Sequence, residues 1–289
     1  MPRTALASAI LAVLLPVSLL PVSLARAEIA ICTEIASVPF TITQPGIYCL
    51  KKNLVNATDP SPNYLAGAIE IEADNVTVDL NGFSLFNKIA GPKNRMNGVV
   101  AFHRKNVTVR NGHIEGFANA VILGGLFAQR STVEDIRANA SNYRGMFVVG
   151  ADSVIRNNHV TNVGPGDLDS ESTGITLVYG ENSVIEGNVV SSISETVAAY
   201  GIGIGFSPSV SVRGNTVFNI KDAAQKNGIA VYTVTRAEIH GNHLLNTPPG
   251  NAGIANLGFS SQIGCIGNAI SGFVPATGGC NSSVGDTTF

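Results

Sequence analysis

The chain has 289 residues, of which 45% are apolar and 13% charged, with 31 glycines and no tryptophan. The formal net charge is −2 and the sequence contains no basic tract, which excludes a nucleic-acid footprint. So few charges together with so many Gly, Asn, Val and Ile are typical of a β-rich protein with many tight turns.

The N-terminal segment 1–27 has the pattern of a secretory signal. Arg3 supplies the positive start, residues 5–24 the apolar centre, and Ala25–Ala27 a small-x-small cleavage site. An uncleaved membrane anchor is the alternative because the apolar run is long, but two prolines interrupt it. We therefore expect a secreted or periplasmic protein with no membrane association after cleavage.

The four cysteines fall into two local pairs, Cys32 with Cys49 and Cys265 with Cys280. Export permits disulfides, and four cysteines allow three connectivities. Pairing within each local pair would place one bridge near each end of the chain. A metal site is the weaker reading because the sequence has no Cys-x-x-Cys spacing.

A repeat of 26 to 30 residues runs through much of the chain. Its clearest copies read SVIRNNHVTNV, SVIEGNVVSSIS, VSVRGNTVFNI and EIHGNHLLN, with apolar alternation on both sides of Gly-Asn or Asn-Asn. A period of this size predicts stacked coils that share one continuous core. The turn asparagines that mark successive copies are Asn158, Asn188, Asn215, Asn242 and Asn268.

Most coils open with a glycine followed by alternating apolar residues, and we expect three short strands in each of about eight coils. Coils of this length are too long for a strict hexapeptide helix of the opposite hand, and right-handed crossovers are the general rule. The sequence therefore predicts an all-β, right-handed parallel β-helix over residues 67–273, with an N-terminal cap at 28–66 and a C-terminal cap or tail at 274–289. Residues at equal positions would stack about 4.8 Å apart. The predicted inner column is Ile69, Val99, Val121, Met146, Ile175, Ile202, Ile229 and Ile254.

The outward position at the end of the second strand changes sign from coil to coil. Side chains there would form exposed ion pairs worth about 0.2–1 kcal/mol each. The turn asparagines tolerate the left-handed conformation and can bond to the next coil. We therefore assign both rows to fold stability rather than to chemistry. The charge row is Asp79, Arg110, Glu134, Arg156, Glu186, Arg213 and His240.

Three stretches carry a resemblance: TITQPGIYCLKKNL, NVTVDLNGFSL at Asn75–Leu85 and NVTVRNGHIEGF at Asn106–Phe117. They resemble secreted proteins of the pectin-lyase-like right-handed β-helix superfamily, over roughly Pro39–Phe273. The resemblance implies the fold and a working groove along the outer face of the Gly-opened strands and their loops. The superfamily includes polysaccharide lyases, glycoside hydrolases, uronate epimerases, esterases and non-catalytic β-helices, and fold alone does not choose among them.

The motifs of the best-known enzymes of that superfamily, the polygalacturonases, alginate epimerases and pectate lyases, are missing from this sequence. The outer face of the Gly-opened strands is largely apolar or small, and beyond Glu70 it shows no acidic row of the kind a calcium-dependent lyase needs. An exposed apolar stripe there would be covered by loops or would meet a partner.

The loops beside the Gly-opened strands carry groups suited to sugar chemistry. Two carboxylates at a suitable separation would serve glycoside hydrolysis. A base together with a cation for the substrate carboxylate would serve β-elimination of a uronate. A solvated polar loop with incidental ion pairs is the alternative. The candidate catalytic residues are Arg144, Asp167, Asp169, Tyr200 and Lys226.

We expect no cofactor. Asp167, Asp169 and Glu171 have an alternative as a structural Ca²⁺ site, although the Gly and the distal Glu of a full calcium loop are missing. The sequence thus predicts an exported β-helix protein that acts on polysaccharide as a lyase or glycoside hydrolase. A non-catalytic β-helix that binds glycan or a protein partner, or an envelope or adhesin element, is the alternative. The expected partner is a polysaccharide or cell-surface glycan, and the expected state is a monomer.

Overall fold

The computed structural model describes residues 31–58, 65–167 and 171–288, so the predicted signal segment 1–27 lies outside the described residues. Within these ranges the regular structure consists of strands, and no helix is long and apolar enough to span a bilayer. The strands are short and separated by turns, as the glycine and asparagine content predicts.

The bounds of the strands, in chain order, are as follows. They are β1 (Thr33–Glu34), β2 (Phe40–Ile42), β3 (Gly46–Cys49), β4 (Leu54–Asn56), β5 (Gly67–Ile71), β6 (Val76–Asp79), β7 (Ser84–Asn87), β8 (Asn97–Phe102), β9 (Val107–Glu115), β10 (Asn119–Gly124), β11 (Thr132–Ser141), β12 (Arg144–Val149), β13 (Val154–Arg156) and β14 (His159–Val163). They continue with β15 (Glu171–Val178), β16 (Val184–Glu186), β17 (Val189–Ser194), β18 (Ala198–Gly205), β19 (Val210–Arg213), β20 (Thr216–Lys221), β21 (Gln225–Tyr232), β22 (Ala237–His240), β23 (His243–Gly250), β24 (Ala252–Asn256), β25 (Ile263–Ile266), β26 (Ala269–Phe273), β27 (Ser282–Val284) and β28 (Thr287–Thr288).

These strands form two parallel sheets. The seven Gly-opened strands, β10 and β2 make a nine-stranded sheet in the order β2-β5-β8-β10-β12-β15-β18-β21-β24, and the others make a nineteen-stranded sheet. The chain therefore visits both sheets once per winding, which confirms the predicted all-β, parallel β-helix of about eight coils. Strands β2 and β3 pair with β5 and β6 of the next coil rather than with each other, so residues 40–49 already follow the path of a coil.

The core is a set of columns that run from coil to coil. The predicted inner column is confirmed, because its members are Cα partners in successive strand pairs of the nine-stranded sheet. Ile69 and Met146 are completely buried, as are the other members of the column. No single coil could bury such a face alone, so the stack is the stable unit.

Close approach of neighbouring coils explains the glycines that open the strands. A Cβ added at Gly174 would lie 2.2 Å from Val190 Cγ1 and 2.7 Å from the carbonyl oxygen of Gly201. Only glycine lets the backbones approach this closely at the corner.

A ladder of buried asparagines holds the turn at the opposite corner. Asn158 Nδ2 donates to Asn188 Oδ1 at 3.0 Å, and the same bond links Asn188 to Asn215, Asn215 to Asn242 and Asn242 to Asn268. Each side-chain oxygen also accepts a backbone N–H from the coil before it. The predicted structural role of these asparagines is confirmed.

The alternating charge row is also confirmed. Its members are Cα partners on adjacent strands, and three ion pairs form along it. Arg110 contacts Asp79 at 3.0 Å, Arg156 contacts Glu134 at 2.6 Å, and Arg213 contacts Glu186 at 2.7 Å.

The two ends of the stack are each tied by a disulfide. Cys32 bonds to Cys49 in β3, and Cys265 in β25 bonds to Cys280, so the local pairing expected from the sequence is confirmed. Each bridge constrains the unfolded chain, an effect on the order of 3 kcal/mol in the chain-entropy view for loops of this size.

Candidate functional site

The candidate functional site is a groove of about 490 Å³ on the outer face of the nine-stranded sheet, lined by charged, hydroxyl and aromatic side chains. It crosses four successive strands, β12, β15, β18 and β21. A concave site with apolar walls and a few polar groups is the usual form of a ligand site. The polar and aromatic residues that line it include Arg144, Phe147, Glu171, Thr176, Tyr200, Gln225 and Tyr232.

The floor of the groove is main chain because β18 carries glycines at outward positions. A Cβ added at Gly205 would meet only Tyr232 O and Val178 Cγ2, both at 3.9 Å, and one at Gly203 only Thr173 Cγ2 at 3.4 Å. The strands on either side carry larger side chains, so the missing side chains of β18 create the depression.

Arg144 and Glu171 form the charged end of the groove. The Arg144 guanidinium lies 5.3 Å from the centroid of the Phe147 ring, and its Nη2 is 3.8 Å from Glu171 Oε1. The Glu171 side chain is 41% exposed, so water screens this long ion pair and the Glu171 carboxylate can meet a ligand.

Tyr200 lies on β18 and lines the groove together with Arg144 and Glu171. Its hydroxyl donates a hydrogen bond to Gln225 Oε1 at 2.9 Å. Burial, and secondly the negative charge of Glu171, raise the pKa of Tyr200 to about 12. The hydroxyl therefore stays protonated throughout the neutral range and acts as a donor rather than as a base.

Thr176 brings an unpartnered polar group to the groove. Its side chain is only 9% exposed, and Oγ1 has no hydrogen-bond partner. A buried hydroxyl without a partner costs about 1–3 kcal/mol. Oγ1 itself exposes less than 1 Å² of surface, so this cost belongs to the packing of the groove wall.

Asp167, a predicted catalytic residue, has a different environment. Its carboxylate forms an ion pair with the buried Arg95 and accepts a hydrogen bond from Tyr143 Oη at 3.1 Å. Partial removal from water raises the pKa of the Asp167 carboxyl, but the hydrogen bonds from Arg95 and Tyr143 and the charge of Arg95 outweigh it and hold the pKa below its usual value. These contacts anchor the loop, and Asp167 is not among the residues that line the groove.

The structure thus brings two of the five candidate residues, Arg144 and Tyr200, into one groove. Lys226 pairs with Ala199 on the neighbouring strand, and its side chain is not part of the groove lining, where its neighbour Gln225 lies instead. Asp169 lies outside the described residues.

Sequence reasoning identified the loop that holds Glu171 but not its contact with Arg144, and it interpreted Thr176, Gly203 and Tyr232 only as parts of an apolar stripe. Much of that stripe is in fact buried: Val100 is 3% exposed and Ile122 is 7% exposed. The signal that was available is the pair of outward glycines in GIGIG, which marks an opening in an otherwise filled face.

A second groove, of about 580 Å³, lies on the nineteen-stranded sheet beside the turns. His113 and His159 line it two coils apart, with Arg137 paired to both between them. Two coils separate these histidines, which is too far for them to share a metal. In the described part of the chain, no group of three His, Cys, Asp or Glu is placed to hold a metal ion.

The stacked coils, with a groove on the outer face of one sheet, define this chain as a parallel β-helix protein. It belongs to the family described as "Right handed beta helix region", whose model matches residues 63–270. A search of curated protein sequences found no match.

Solved structures with the same fold include the Dettilon tailspike protein (gp208), at 15% identity and a TM-score of 0.58, covering 88% of this chain and 59% of that one. Others are XylC in complex with xylose, at 15% identity and a TM-score of 0.49, covering 72% and 37%, and DFA-IIIase from Arthrobacter chlorophenolicus A6, at 15% identity and a TM-score of 0.46, covering 77% and 45%. The chain thus spans less than two thirds of each of these structures, and the likeness to the tailspike protein is one of fold.

Proposed function

We propose that this protein acts on polysaccharide, and that the groove between Arg144 and Tyr232 binds a segment of an acidic glycan. The observation that supports this most directly is the groove lining, in which Arg144, Glu171 and Tyr200 place hydrogen-bonding groups on one concave surface. Sugar hydroxyls donate and accept hydrogen bonds, so a glycan in the groove would match this lining.

Each side chain has a role that its chemistry allows. The Arg144 guanidinium would pair with a uronate carboxylate, since its planar fork suits bidentate contacts. Glu171 would accept hydrogen bonds from sugar hydroxyls. The ring of Phe147, against which Arg144 rests, would exclude water from that end.

Filling the groove tests this proposal. In Gly205→Val the new side chain would occupy the floor with only ordinary contacts at its Cβ, so we expect normal folding and a loss of glycan affinity of about tenfold or more, which is about 1.4 kcal/mol. Affinity is measured against polygalacturonate, alginate and xylan.

Gly264→Val is the matched control. Gly264 is an outward strand glycine of β25 in the nineteen-stranded sheet, where a Cβ would meet nothing closer than Ser282 Oγ at 3.7 Å. Its affinity should equal that of the wild type. Equal affinities for both variants and the wild type, or no binding to any of the three polysaccharides, would contradict the proposal.

β-Elimination of a uronate is the activity that the groove favours. Arg144, Glu171 and Tyr200 supply, respectively, a cation for the uronate carboxylate, a base and a hydroxyl donor. Glu171 would take the C5 proton, a C4–C5 double bond would form as the C4–O bond breaks, and the leaving oxygen would receive the proton of Tyr200. Hydrolysis needs two carboxylates, and Glu171 is the carboxylate among the described groove residues.

Product analysis separates these activities. Unsaturated ends that disappear in Glu171→Gln would support elimination, whereas new reducing ends without unsaturation would indicate hydrolysis. Retention of glycan without any cleavage would identify a non-catalytic binding protein, which is the second candidate function.

We also propose that the protein works in an oxidising compartment outside the cytoplasm. The two disulfides support this, because such bonds persist in exported proteins. Recovery of the full-length product, cleaved after Ala27, from periplasm or medium would test it, and sedimentation would test the expected monomer.

A further inference from the structure

We propose that Tyr179, Phe206 and Tyr232 form an aromatic platform that stacks against sugar rings and extends the glycan site beyond the groove. This inference rests on the proposed function, since its ligand is the strand bound in the groove. The platform would contact a neutral, less polar part of the same glycan.

The three rings lie on successive coils and touch one another. Tyr179 and Phe206 are stacked, with centroids 5.5 Å apart and planes at 25°, and Phe206 meets Tyr232 edge-on at 5.6 Å. They are 60%, 43% and 48% exposed. Aromatic side chains so exposed and so grouped are characteristic of interaction sites.

The platform is continuous with the groove. Tyr232 belongs to both, because it lines the groove and also contacts Phe206. Glycine at position 205, the register partner of Tyr232, leaves the side of this ring open toward the groove floor. A chain that leaves the groove at this point would pass directly over the rings.

The backbone beneath the rings is strained. Tyr179 and Phe206 have φ angles of +52° and +50°, in the left-handed region that bulky residues avoid. The same corner is also left-handed on neighbouring coils, at His103, Gly125, Gly150 and Thr233, so the turn belongs to the winding of the chain. Glycine adopts this conformation without a steric penalty, and two coils carry an aromatic residue there instead.

The distance between the two regions sets the size of the ligand. Arg144 and Tyr200 lie on one register row, and Tyr232 lies on a row five residues further along the strands, which corresponds to about 17 Å. One sugar ring cannot span this distance. The inferred ligand is therefore an oligosaccharide segment with an acidic residue at Arg144 and a ring with an exposed C–H face at the platform.

Substitution by glycine distinguishes this role from a purely structural one. In Tyr179→Gly the ring is removed and the left-handed backbone is relieved, so we expect an unchanged or higher melting temperature and about tenfold weaker binding of long oligosaccharides. Short oligosaccharides that reach only the groove should bind as they do to the wild type. Uronate-containing oligosaccharides of increasing length are the probes, with affinity followed by calorimetry.

Phe127→Gly is the matched control, because Phe127 is an 81% exposed aromatic residue with φ +69° that lies outside both the groove and the platform. It should bind every probe normally. If Tyr179→Gly instead lowers the melting temperature and binds long probes normally, the rings serve the fold and the platform proposal is wrong. If Gly205→Val weakens binding while Tyr179→Gly does not, the proposal that the groove binds glycan is supported and only the platform proposal is wrong.

Discussion

Two regions of this molecule use the same coils in opposite ways. At the asparagine corner, equal positions carry equal residues and every side-chain amide is bonded to the next coil, until the row ends on Asp286 Oδ1. In the groove, equal positions carry unlike residues: Val178, Gly205 and Tyr232 occupy one register row. Repetition satisfies polar groups internally, whereas its interruption in the groove leaves the Thr176 hydroxyl without a partner.

The largest effect that would sharpen this contrast is expected from Asn188→Ala. The Asn188 amide donates to Ile155 O and Asn215 Oδ1 and accepts two bonds from Asn158, all buried. Loss of these bonds leaves several buried groups unpaired, so we expect destabilisation of about 3 kcal/mol or more by urea unfolding. Asn139→Ala, which removes one exposed bond to Asn162, should cost about 0.5 kcal/mol or less, and equal costs for the two would break the comparison.

Removal of a polar group from the groove should have the opposite sign. Thr176→Val deletes a buried hydroxyl without a partner and keeps the side-chain shape, so we expect stabilisation of about 1 kcal/mol. Thermal unfolding measures this effect. A destabilised Thr176→Val would show that this hydroxyl belongs to the fold.

A smaller effect is expected on the charge row. Glu186 and Arg213 are partly exposed and 2.7 Å apart, so a double-mutant cycle with alanine should give a coupling free energy of about 0.2–1 kcal/mol that declines with salt. In the exchanged variant, Glu186→Arg with Arg213→Glu, the new guanidinium meets Arg156 on the adjacent strand, so this like-charge contact should keep the lost stability from being restored. Full recovery of the free energy of unfolding in the exchanged variant would show that the alternation of charge does not help to fix the strand register.

The smallest effect on stability concerns Tyr200. Tyr200 should ionise only near pH 12, and tyrosinate absorbance should lose a step at that pH in Tyr200→Phe. Because the folded-state pKa is raised, the associated stability is fully present below the unfolded pKa of about 10 and is lost as the pH rises toward 12.

Glu171→Gln serves as the companion variant. Burial is the main cause of the raised pKa of Tyr200 and the charge of Glu171 the second, so this substitution should lower that pKa only in part. Complete return to the ordinary tyrosine value would show that charge, rather than burial, governs the hydroxyl.

The extent to which the sequence predicts these regions follows from the repeat. A period fixes which residues become neighbours, so the inner column, the charge row and the end disulfides follow from the positions of Ile175, Glu186 and the four cysteines. Loops have no period. Asp167 forms an ion pair with Arg95, which lies in a loop of an earlier coil, and the spacing of the two residues in the sequence does not predict that contact.

The groove itself was only partly predictable for the same reason. Arg144 and Tyr200 share a register row through Thr173, which the repeat reveals. That Thr176 lacks a partner and that Tyr179 stacks on Phe206 are properties of packing around a break in the pattern. Such properties depend on the whole surrounding surface rather than on local residue preferences.

The equal spacing of the asparagine corner has a consequence for how such a chain changes its length. Asn188, Asn215 and Asn242 are each 27 residues apart, so excision of residues 188–214 would bring Asn215 into the place of Asn188 with its bonding pattern intact. The excised winding carries Tyr200, Gly203, Gly205 and Phe206, while its neighbours supply the remaining walls. Duplication or deletion of a single winding would therefore replace most residues of the binding surface and leave the hydrogen bonds between coils intact.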